Sequence, residues 1–241
     1  MQIYRRLAPI KALSFDLDDT LYSNYPIMVA ADKAMREFFA QQLPKLPESS
    51  KAQAYDINYW FTFRNQAIAA EPMLKHDVVA VRIQAYYLGI KALGFAEQQA
   101  RELANKAMAH FEYHRSNFVV AESVHQLLSD LKQHFKLLAI SNGNVDTKVI
   151  GLHHYFEQVY HAQDGLKQKP ANDMFVLAQQ AINIPAENIL HVGDCGKADI
   201  YGAITAGYQS AYLEKYGIGK PLKLTPHIGL TDIEQLRGLL P

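Results

Sequence analysis

Cysteine is almost missing from this chain of 241 residues, in which Cys195 is the only one. A single cysteine cannot form an internal disulfide, which excludes a small extracellular fold held together by disulfide bridges. Long apolar runs are missing as well: no stretch of about 18 apolar residues occurs, so we expect no membrane span. The stretch MQIYRRLAPIKAL has basic residues but too short an apolar segment for a signal sequence. We therefore expect a cytoplasmic protein without a membrane partner.

An excess of charge of one sign is also missing, because Lys plus Arg and Asp plus Glu both number 24. Without a net field, the sequence favours neither nucleic acid nor an anionic membrane surface as a partner. The chain does have apolar content: 49% of its residues are hydrophobic, enough to build a sizeable core. Its length allows one large domain or two modest ones.

Four short apolar runs have the composition of buried parallel strands, and helical patterns lie between them from Val120 onward. The runs are Ala12 to Phe15, Leu137 to Ile140, Ile189 to Val192 and Ser210 to Leu213. Because strands alternate with helices in this region, the sequence predicts an α/β fold with a parallel sheet.

Between Tyr25 and Arg115 the pattern changes to helical periodicity without a convincing strand. Helices are predicted at Pro26 to Leu43, Pro72 to Gly94 and Ala96 to Arg115. This block interrupts the α/β region after its first strand. The sequence therefore predicts an α/β core of residues 1–22 plus 117–241 and an inserted all-α domain of residues 23–116.

The stretch SFDLDDTLY, residues 14–22, puts three carboxylates in four residues directly behind a predicted buried strand. An ordinary polar turn and a functional site explain it about equally well. A calcium-binding loop does not, because the sixth position from Asp16 is Leu21 instead of Gly and the twelfth is Ile27 instead of Glu. Open α/β sheets bind ligands at the carboxyl ends of their strands, so in a functional site Asp16 would be a nucleophile or a metal ligand.

A second acidic stretch, HVGDCGKADIYGA, follows another predicted strand and contributes Asp194 and Asp199. Together with Asp16 and Asp18, these residues would gather four carboxylates at one edge of the sheet. Two unit charges about 4 Å apart repel by roughly 4 kcal/mol at an effective dielectric near 20, so the cluster requires a compensating cation. Oxygen ligands that leave room for water and a phosphate oxygen suit Mg²⁺.

Two further stretches can supply contacts to a phosphate. Ser141, Asn142 and Gly143 end a predicted strand in LLAISNGN, and the serine hydroxyl and the following backbone amides can hold a phosphate. Lys169 is predicted to open a helix before Pro170, which would place a fixed positive charge beside the nucleophile. Taken singly, such stretches are more often a plain turn or a solvated helix start.

Taken together, the stretches resemble the haloacid dehalogenase superfamily, whose pattern is D-x-D-x-T, then S or T, then K, then G-D-x₄-D. The matching residues, in order, are Asp16, Asp18, Thr20, Ser141, Lys169, Gly193, Asp194 and Asp199. The resemblance covers essentially the whole chain. It implies a Rossmann-like core of parallel strands, as in that superfamily, with the helical block as an inserted C1-type cap domain.

The resemblance also implies a role for each charged residue. Asp16 would attack phosphorus and form an aspartyl-phosphate, and Asp18 would protonate the leaving alcohol and later deprotonate water. Mg²⁺ would be bound by Asp16, the backbone carbonyl of Asp18 and Asp194. Lys169 would be the catalytic cation, and Asp199 would act behind the metal ligands, through water or through Lys169.

On the substrate side, the resemblance implies that Ser141, Asn142, Gly143 and Thr20 contact or orient the phosphate of a small phosphomonoester. The stretches YRRLAPIKALSFDLDDTLYSNYP, AISNGN, KPANDMF and ILHVGD are similar to bacterial flavin-pathway phosphatases that act on 5-amino-6-(5-phosphoribitylamino)uracil and FMN. We therefore expect these two substrates. The sequence departs from that group at CGK after Asp194, where a third acidic residue is frequent.

Asp18 separates several alternatives within the superfamily. Relatives that remove halide lack this second acid and need no metal, and transport ATPases have Thr in its place. A phosphatase for sugar phosphates or nucleotides, a phosphomutase and a non-catalytic phosphate-binding interaction protein stay open as alternatives. We expect a monomer or a weak homodimer.

Several neighbouring residues receive simpler interpretations. Candidate residues for substrate recognition, chosen by position and polarity, are Tyr22, Asn24, Asn144 and Arg82. The aromatic residues Trp60, Phe61 and Phe63 are interpreted as packing within the helical domain. His191 is interpreted as an ordinary strand residue and Cys195 as a small residue without a role.

Overall fold

A single sheet organises the α/β part of the chain in the computed structural model, which describes residues 1–43, 56–163, 165–216 and 224–241. Seven strands of the described residues lie in the order β1-β7-β6-β5-β2-β3-β4. They are β1 (Gln2–Ile3), β2 (Ala12–Phe15), β3 (Lys136–Ser141), β4 (Gln158–His161), β5 (Ile189–Gly193), β6 (Gln209–Leu213) and β7 (Ile228–Leu230). Neighbouring strands are parallel, except that β1 is antiparallel to β7. The predicted α/β fold is confirmed.

Helices make up most of the remaining regular structure. They are α1 (Asn24–Gln42), α2 (Ile57–Ala70), α3 (Val78–Ala92), α4 (Glu97–Ser116), α5 (Glu122–Lys132), α6 (Asp173–Ile182) and α7 (Gly202–Thr205). Short 3₁₀ turns lie at Pro72–His76, His153–Tyr155, Ala186–Asn188 and Ile233–Leu239, and a π-helical segment at Gly196–Tyr201. None of the helices in these ranges is long and apolar enough to cross a membrane.

The described residues divide into two compact units. Met1–Asn24 and Val119–Pro241 together form the α/β unit, and Tyr25–Phe118 form the helical unit. Each limit lies two residues beyond the boundary expected from the sequence, which placed the insertion at 23–116. The role of the helical unit as a cap domain stays a prediction.

β2 lies at the centre of the α/β unit. Both of its edges are hydrogen-bonded, to β3 and β5, and all four of its residues are buried. Phe15 is in register with Ala139 of β3 and with Val192 of β5. Because the three strands are parallel, the residues that follow them lie side by side at one edge of the sheet, where open α/β sheets bind ligands.

The helical unit packs around its own apolar cluster, which includes Phe39, Ile90 and Phe111. Trp60 packs against this cluster as predicted, with its ring stacked on Phe39 at a centroid distance of 4.5 Å. Phe61, on the same helix, is 49% exposed, so the prediction of buried packing is wrong for this residue.

Three features of the fold differ from the expectation. The helix predicted from Pro72 to Gly94 is divided, because the Asp77 carboxylate accepts hydrogen bonds from the backbone of Val79 and Ala80 and starts α3 at Val78. β4 was not predicted, because its sequence QVYH is polar and only partly buried at the sheet edge. β1 and β7, with two and three residues, are too short to give a periodic signal.

Candidate active site

Asp16 is the first residue after β2. Its backbone N–H donates to the carbonyl of Val192 at 2.9 Å, which continues the pairing of β2 with β5 by one residue. The side chain is buried, with 7% of its surface exposed. The strand register thus fixes this carboxylate at the edge of the sheet, level with the ends of β3 and β5.

Lys169 holds Asp16 in place. Its Nζ lies 2.7 Å from Asp16 Oδ1 and 2.7 Å from Asp199 Oδ1, and it also donates to the carbonyl oxygen of Ile140. An ammonium group has three N–H donors, so all three have acceptors. Burial lowers the pKa of Lys169, but the two carboxylates outweigh burial and raise it above its usual value. Lys169 is therefore a buried, permanently charged group.

The backbone around Lys169 is positioned differently from the prediction. Lys169 does not open a helix; it lies in a loop, and α6 begins at Asp173. The Asn142 carboxamide makes two hydrogen bonds to this loop, accepting from the Lys169 N–H at 2.7 Å and donating to the Lys169 carbonyl at 3.0 Å. The end of β3 thus clamps the loop that carries the lysine.

Asp199 lies in the π-helical segment and is almost completely buried. Its Oδ2 accepts the backbone N–H of Cys195 at 2.8 Å, and its Oδ1 contacts Lys169 and, at 3.3 Å, His191 Nε2. Burial raises the pKa of Asp199, but Lys169 and His191 outweigh it and hold the pKa below its usual range. Both oxygens are therefore used on protein donors.

His191 and Ser14 complete this network, and the sequence interpretation missed both. They are register partners on β5 and β2, and Ser14 Oγ lies 2.7 Å from His191 Nδ1. Burial lowers the pKa of His191 below its usual value, and although Asp199 opposes this shift, Lys169 adds to it. The available signal was a polar residue inside each of two otherwise apolar strands, at positions that pair in the parallel sheet.

Gly193 is required by the close approach of Asp199. A Cβ atom at Gly193 would overlap the Asp199 carboxyl group. The glycine of the G-D-x₄-D pattern therefore leaves the space into which the second aspartate of the same pattern folds back.

Asp194 brings a third carboxylate to the same place. One oxygen each of Asp16, Asp194 and Asp199 lies within 4.8 Å of the others. The pKa of Asp194 is raised to about 8 by burial and by the negative charges of Asp16 and Asp199. Burial also raises the pKa of Asp16, to about 7, although Lys169 opposes the shift.

This cluster fits the donor set of a hard divalent cation. Carboxylate oxygens are the ligands that Mg²⁺ prefers, and the pKa values of Asp16 and Asp194 are raised first by burial and then by the neighbouring carboxylates, a repulsion that a bound cation relieves. Asp199 already uses both of its oxygens on protein donors, so Asp16 and Asp194 are the better placed ligands.

The turn after Asp16 is tight and carries the other acids. Asp18 is half-buried, and its backbone pairs with that of Tyr22 in an isolated parallel β-bridge. Asp19 has a φ of 56°, and its carboxylate accepts the backbone N–H of Asn24 at 2.8 Å, at the start of α1. Thr20 Oγ1 lies 3.4 Å from Asp16 Oδ2, a long contact that is compatible with orienting the carboxylate.

The predicted phosphate-contact residues follow β3. Ser141 is buried, and its Oγ accepts the backbone N–H of Gly143 at 3.0 Å. Since the carboxamide of Asn142 is engaged by Lys169, any contact from Asn142 to a phosphate has to come from its backbone. The contact of these residues and Thr20 with a phosphate stays a prediction.

The candidate residues for substrate recognition are divided between the two units. Tyr22, Asn24 and Asn144 belong to the α/β unit, and in the described part of the chain Asn24 Oδ1 and Asn144 Nδ2 are buried without a hydrogen-bond partner. Arg82 belongs to the helical unit, where its guanidinium lies 3.7 Å from the centre of the Phe111 ring.

Comparison with known proteins gives consistent matches. Residues 10–207 match the sequence profile of the haloacid dehalogenase-like hydrolases. The chain is 33% identical over 245 residues to the 5-amino-6-(5-phospho-D-ribitylamino)uracil phosphatase YigB of Escherichia coli (strain K12), covering 100% of both chains. It is 26% identical to the putative HAD-hydrolase YfnB of Bacillus subtilis (strain 168), over 95% of each chain. The solved structure of a 2-haloacid dehalogenase from Pseudomonas syringae pv. Tomato DC3000 superposes with a TM-score of 0.87 at 29% identity, covering 96% of this chain and 98% of that one.

Proposed function

The chain belongs to the haloacid dehalogenase-like hydrolase family, and on this premise we propose that it is a Mg²⁺-dependent phosphomonoesterase acting through an aspartyl-phosphate. The observation that carries the proposal is the buried Asp16 carboxylate, held 2.7 Å from the Lys169 ammonium, with a second acid at Asp18. The proposed substrates are 5-amino-6-(5-phospho-D-ribitylamino)uracil and FMN. The relative from Escherichia coli, named for the first of these substrates, supports the choice.

The two acids of the turn divide the chemistry between them. An Asp16 oxygen attacks phosphorus while the bond from phosphorus to the leaving oxygen breaks, and the Asp18 carboxyl gives its proton to that oxygen. The Asp18 carboxylate then takes a proton from the water that attacks the aspartyl-phosphate. Inorganic phosphate leaves, Asp16 is regenerated as a carboxylate, and Asp18 is again protonated.

Asp16 has to be ionised to act as a nucleophile. Burial raises its pKa to about 7, and the fixed charge of Lys169 opposes this increase. Mg²⁺, held by Asp16, the backbone carbonyl of Asp18 and Asp194, would supply further positive charge that offsets the repulsion between the carboxylates and an anionic substrate. Asp199 positions Lys169 beside Asp16, since Lys169 Nζ lies 2.7 Å from an oxygen of each carboxylate.

The dehalogenase among the similar structures makes halide removal the second candidate. A halide ion leaves as a stable anion and needs no proton, whereas an alkoxide leaving from a phosphomonoester does. Asp18, two residues from the nucleophile, supplies that proton donor and has no task in a dehalogenase. We therefore expect no chloride release from 2-chloropropionate under conditions in which phosphate is released from phosphomonoesters.

A phosphate-release assay on the purified chain, with Mg²⁺ and with EDTA, tests the proposal. We expect turnover with Mg²⁺ and its loss with EDTA, restored by added Mg²⁺. No phosphate release from any phosphomonoester would favour a non-catalytic phosphate-binding protein, and isomerised sugar phosphate without free phosphate would indicate a phosphomutase.

The choice of substrate has its own test. We expect kcat/KM for the two ribityl phosphates to exceed kcat/KM for glucose 6-phosphate and for AMP. If either competitor is better by tenfold, about 1.4 kcal/mol of transition-state preference, the ribityl assignment is wrong while the phosphatase proposal stands. The monomeric or weakly dimeric state and the cytoplasmic location stay predictions.

A further inference from the structure

The helical unit contains a cavity of about 800 Å³ that is formed by its own helices. One face of each of α1, α2 and α3 lines it at helical spacing, and Phe111 of α4 completes the wall. The lining includes Val29 and Arg36 of α1, Trp60 and Arg64 of α2, and Arg82 of α3. The volume is within the range of about 300–1,000 Å³ that is typical of sites for small molecules.

The walls of the cavity are aromatic. The Trp60 ring is stacked on Phe39 at an interplanar angle of 19° and meets Tyr86 edge-on, with centroid distances of 4.5 and 5.3 Å. The Trp60 ring packs so closely on α3 that a Cβ atom at Gly89 would overlap it. These contacts fix a flat apolar surface at the cavity, of the kind on which an aromatic ring packs.

The opening of the cavity is apolar as well. Four of its lining residues have between 44% and 74% of their surface exposed: Tyr25, Val29, Ile57 and Phe61. Large apolar side chains on a monomer surface cluster in this way at binding sites more than elsewhere. The exposure of Phe61, which the sequence interpretation assigned to packing, is explained by its place at this opening.

The charge at the cavity has one predominant sign. Among the described residues, Arg36, Arg64 and Arg82 line it together with a single acid, Asp32, whose Oδ2 lies 2.7 Å from Arg36 Nη2. Arg82 lies against the Phe111 ring, and within the described part of the chain Arg64 forms no ion pair. An apolar site with an excess of guanidinium groups is complementary to an anion, because guanidinium binds carboxylate, sulfonate and phosphate groups in a bidentate manner.

From this combination we infer that the helical unit has a binding site of its own for a small aromatic anion, with the ring against Trp60 and the anionic group toward Arg64 and Arg36. This site goes beyond the proposed function and uses none of the residues assigned to catalysis. Its occupant is a small molecule with a flat apolar part and one or two negative charges.

Trp60 makes the site directly observable, because it is the only tryptophan in the chain. The probe is 8-anilinonaphthalene-1-sulfonate, an aromatic anion, and its neutral partner is N-phenyl-1-naphthylamine, which has the same rings without the sulfonate. Titration of the full chain with the sulfonate should quench the Trp60 emission and excite the probe by energy transfer. A probe that binds without changing the Trp60 emission would show that the cavity is not the site.

Matched variants separate this cavity from other apolar surfaces. Arg64→Gln should lower the affinity for the sulfonate by about tenfold and the affinity for the neutral probe by less than about twofold. Arg101→Gln is the control, since Arg101 lies over Tyr87 at 4.5 Å and does not line the cavity. Val29→Asp and Val29→Asn place polar side chains of the same size at the cavity, and only the first adds a negative charge. Val29→Asp should therefore bind the sulfonate more weakly than Val29→Asn does, and the two variants should bind the neutral probe equally.

Three further results would overturn the inference. The first is equal affinity of Arg64→Gln and Arg101→Gln for the sulfonate, with circular dichroism showing both variants folded. The second is displacement of the sulfonate by inorganic phosphate, which would place the probe at the catalytic carboxylates. The third is loss of probe binding as the protein associates, seen by sedimentation, which would make a second copy the occupant. None of these results bears on phosphate release, so the inference and the proposed function can fail separately.

Discussion

The α/β unit and the helical unit use their charged side chains in opposite ways. In the α/β unit, Lys169 and Asp199 are buried, and every donor of the Lys169 ammonium has an acceptor in the protein. In the helical unit, Arg64 lines an open apolar cavity and forms no ion pair within the described part of the chain. The first arrangement fixes charges before a substrate arrives, and the second leaves charge available to a ligand. Substitutions should therefore affect chemistry and folding in the α/β unit, but binding alone in the helical unit.

The largest effect is expected at the nucleophile. Asp16→Asn should lower turnover by at least about 10⁴-fold, because an amide cannot form the aspartyl-phosphate. Asp19→Asn is the matched control: its side chain keeps the oxygen that accepts the Asn24 N–H, so turnover should stay within about tenfold of the unmodified chain. Phosphate release measures both. Comparable turnover in Asp16→Asn and the unmodified chain would exclude Asp16 as the nucleophile.

The second effect is on folding. Asp199→Asn leaves the buried Lys169 with less compensation and should lower the free energy of unfolding by about 3–5 kcal/mol. Lys215→Gln removes one partner of an exposed ion pair with Asp232 and should cost about 0–1 kcal/mol. Urea denaturation gives both values. If the two variants lose the same stability, the distinction between buried and exposed charge does not apply in this chain.

The third effect is stabilisation by Mg²⁺. At about 100 times its dissociation constant, a ligand that binds only the folded chain adds roughly 2.7 kcal/mol, or a rise in Tm of about 5–10 °C for a chain of this size. Asp194→Asn should lose most of this rise. The measurement is thermal unfolding after metal has been stripped, and an unchanged Tm across a Mg²⁺ titration would contradict the site.

The rise in Tm should also depend on pH. The folded-state pKa of Asp194 is raised to about 8 from 3.8, so the folded chain holds this proton more tightly than the unfolded chain does. The stability from this group is therefore complete below pH 4 and is lost as pH rises toward 8. Mg²⁺ competes with the proton, so its effect on Tm should be larger at pH 8 than at pH 5. The opposite order would mean that Asp194 is not a ligand.

The sequence predicted more of the site than of the network that supports it. Asp16, Asp194 and Asp199 could be predicted because each follows an apolar run at a fixed spacing. The clamp on Lys169 could not, because it depends on Asn142, which lies 27 positions earlier in the chain and meets the loop only in the folded state. Likewise, a polar residue within a strand, such as His191, has an ordinary interpretation until its neighbours are known.

A smaller effect is expected at that supporting network. Ser14→Ala removes the hydroxyl 2.7 Å from His191 Nδ1 and should cost about 1–2 kcal/mol of stability, because the buried imidazole loses a partner. In the His191→Phe background the same substitution should cost much less, since the partner is already gone. Equal costs in both backgrounds would show that the two side chains are not coupled.

The smallest effect is expected in the helical unit. Arg64→Gln should change the free energy of unfolding by no more than about 0.5 kcal/mol, because the guanidinium lies at an open cavity. Urea denaturation of Arg64→Gln and of Asp199→Asn under the same conditions gives the two free energies of unfolding to compare. A loss of 2 kcal/mol or more would mean that Arg64 has a structural role and would remove the contrast between the two units.

All three N–H donors of the Lys169 ammonium have acceptors within the protein, and this limits which inhibitors the α/β site can bind. An anionic compound gains no hydrogen bond from this ammonium unless Asp16, Asp199 or the Ile140 carbonyl first gives one up. Lysine-directed acylating reagents require the neutral amine, which the raised pKa of Lys169 keeps scarce, and the burial of this side chain also blocks their access to it. Covalent inhibitors of this site should therefore be electrophiles directed at the Asp16 carboxylate.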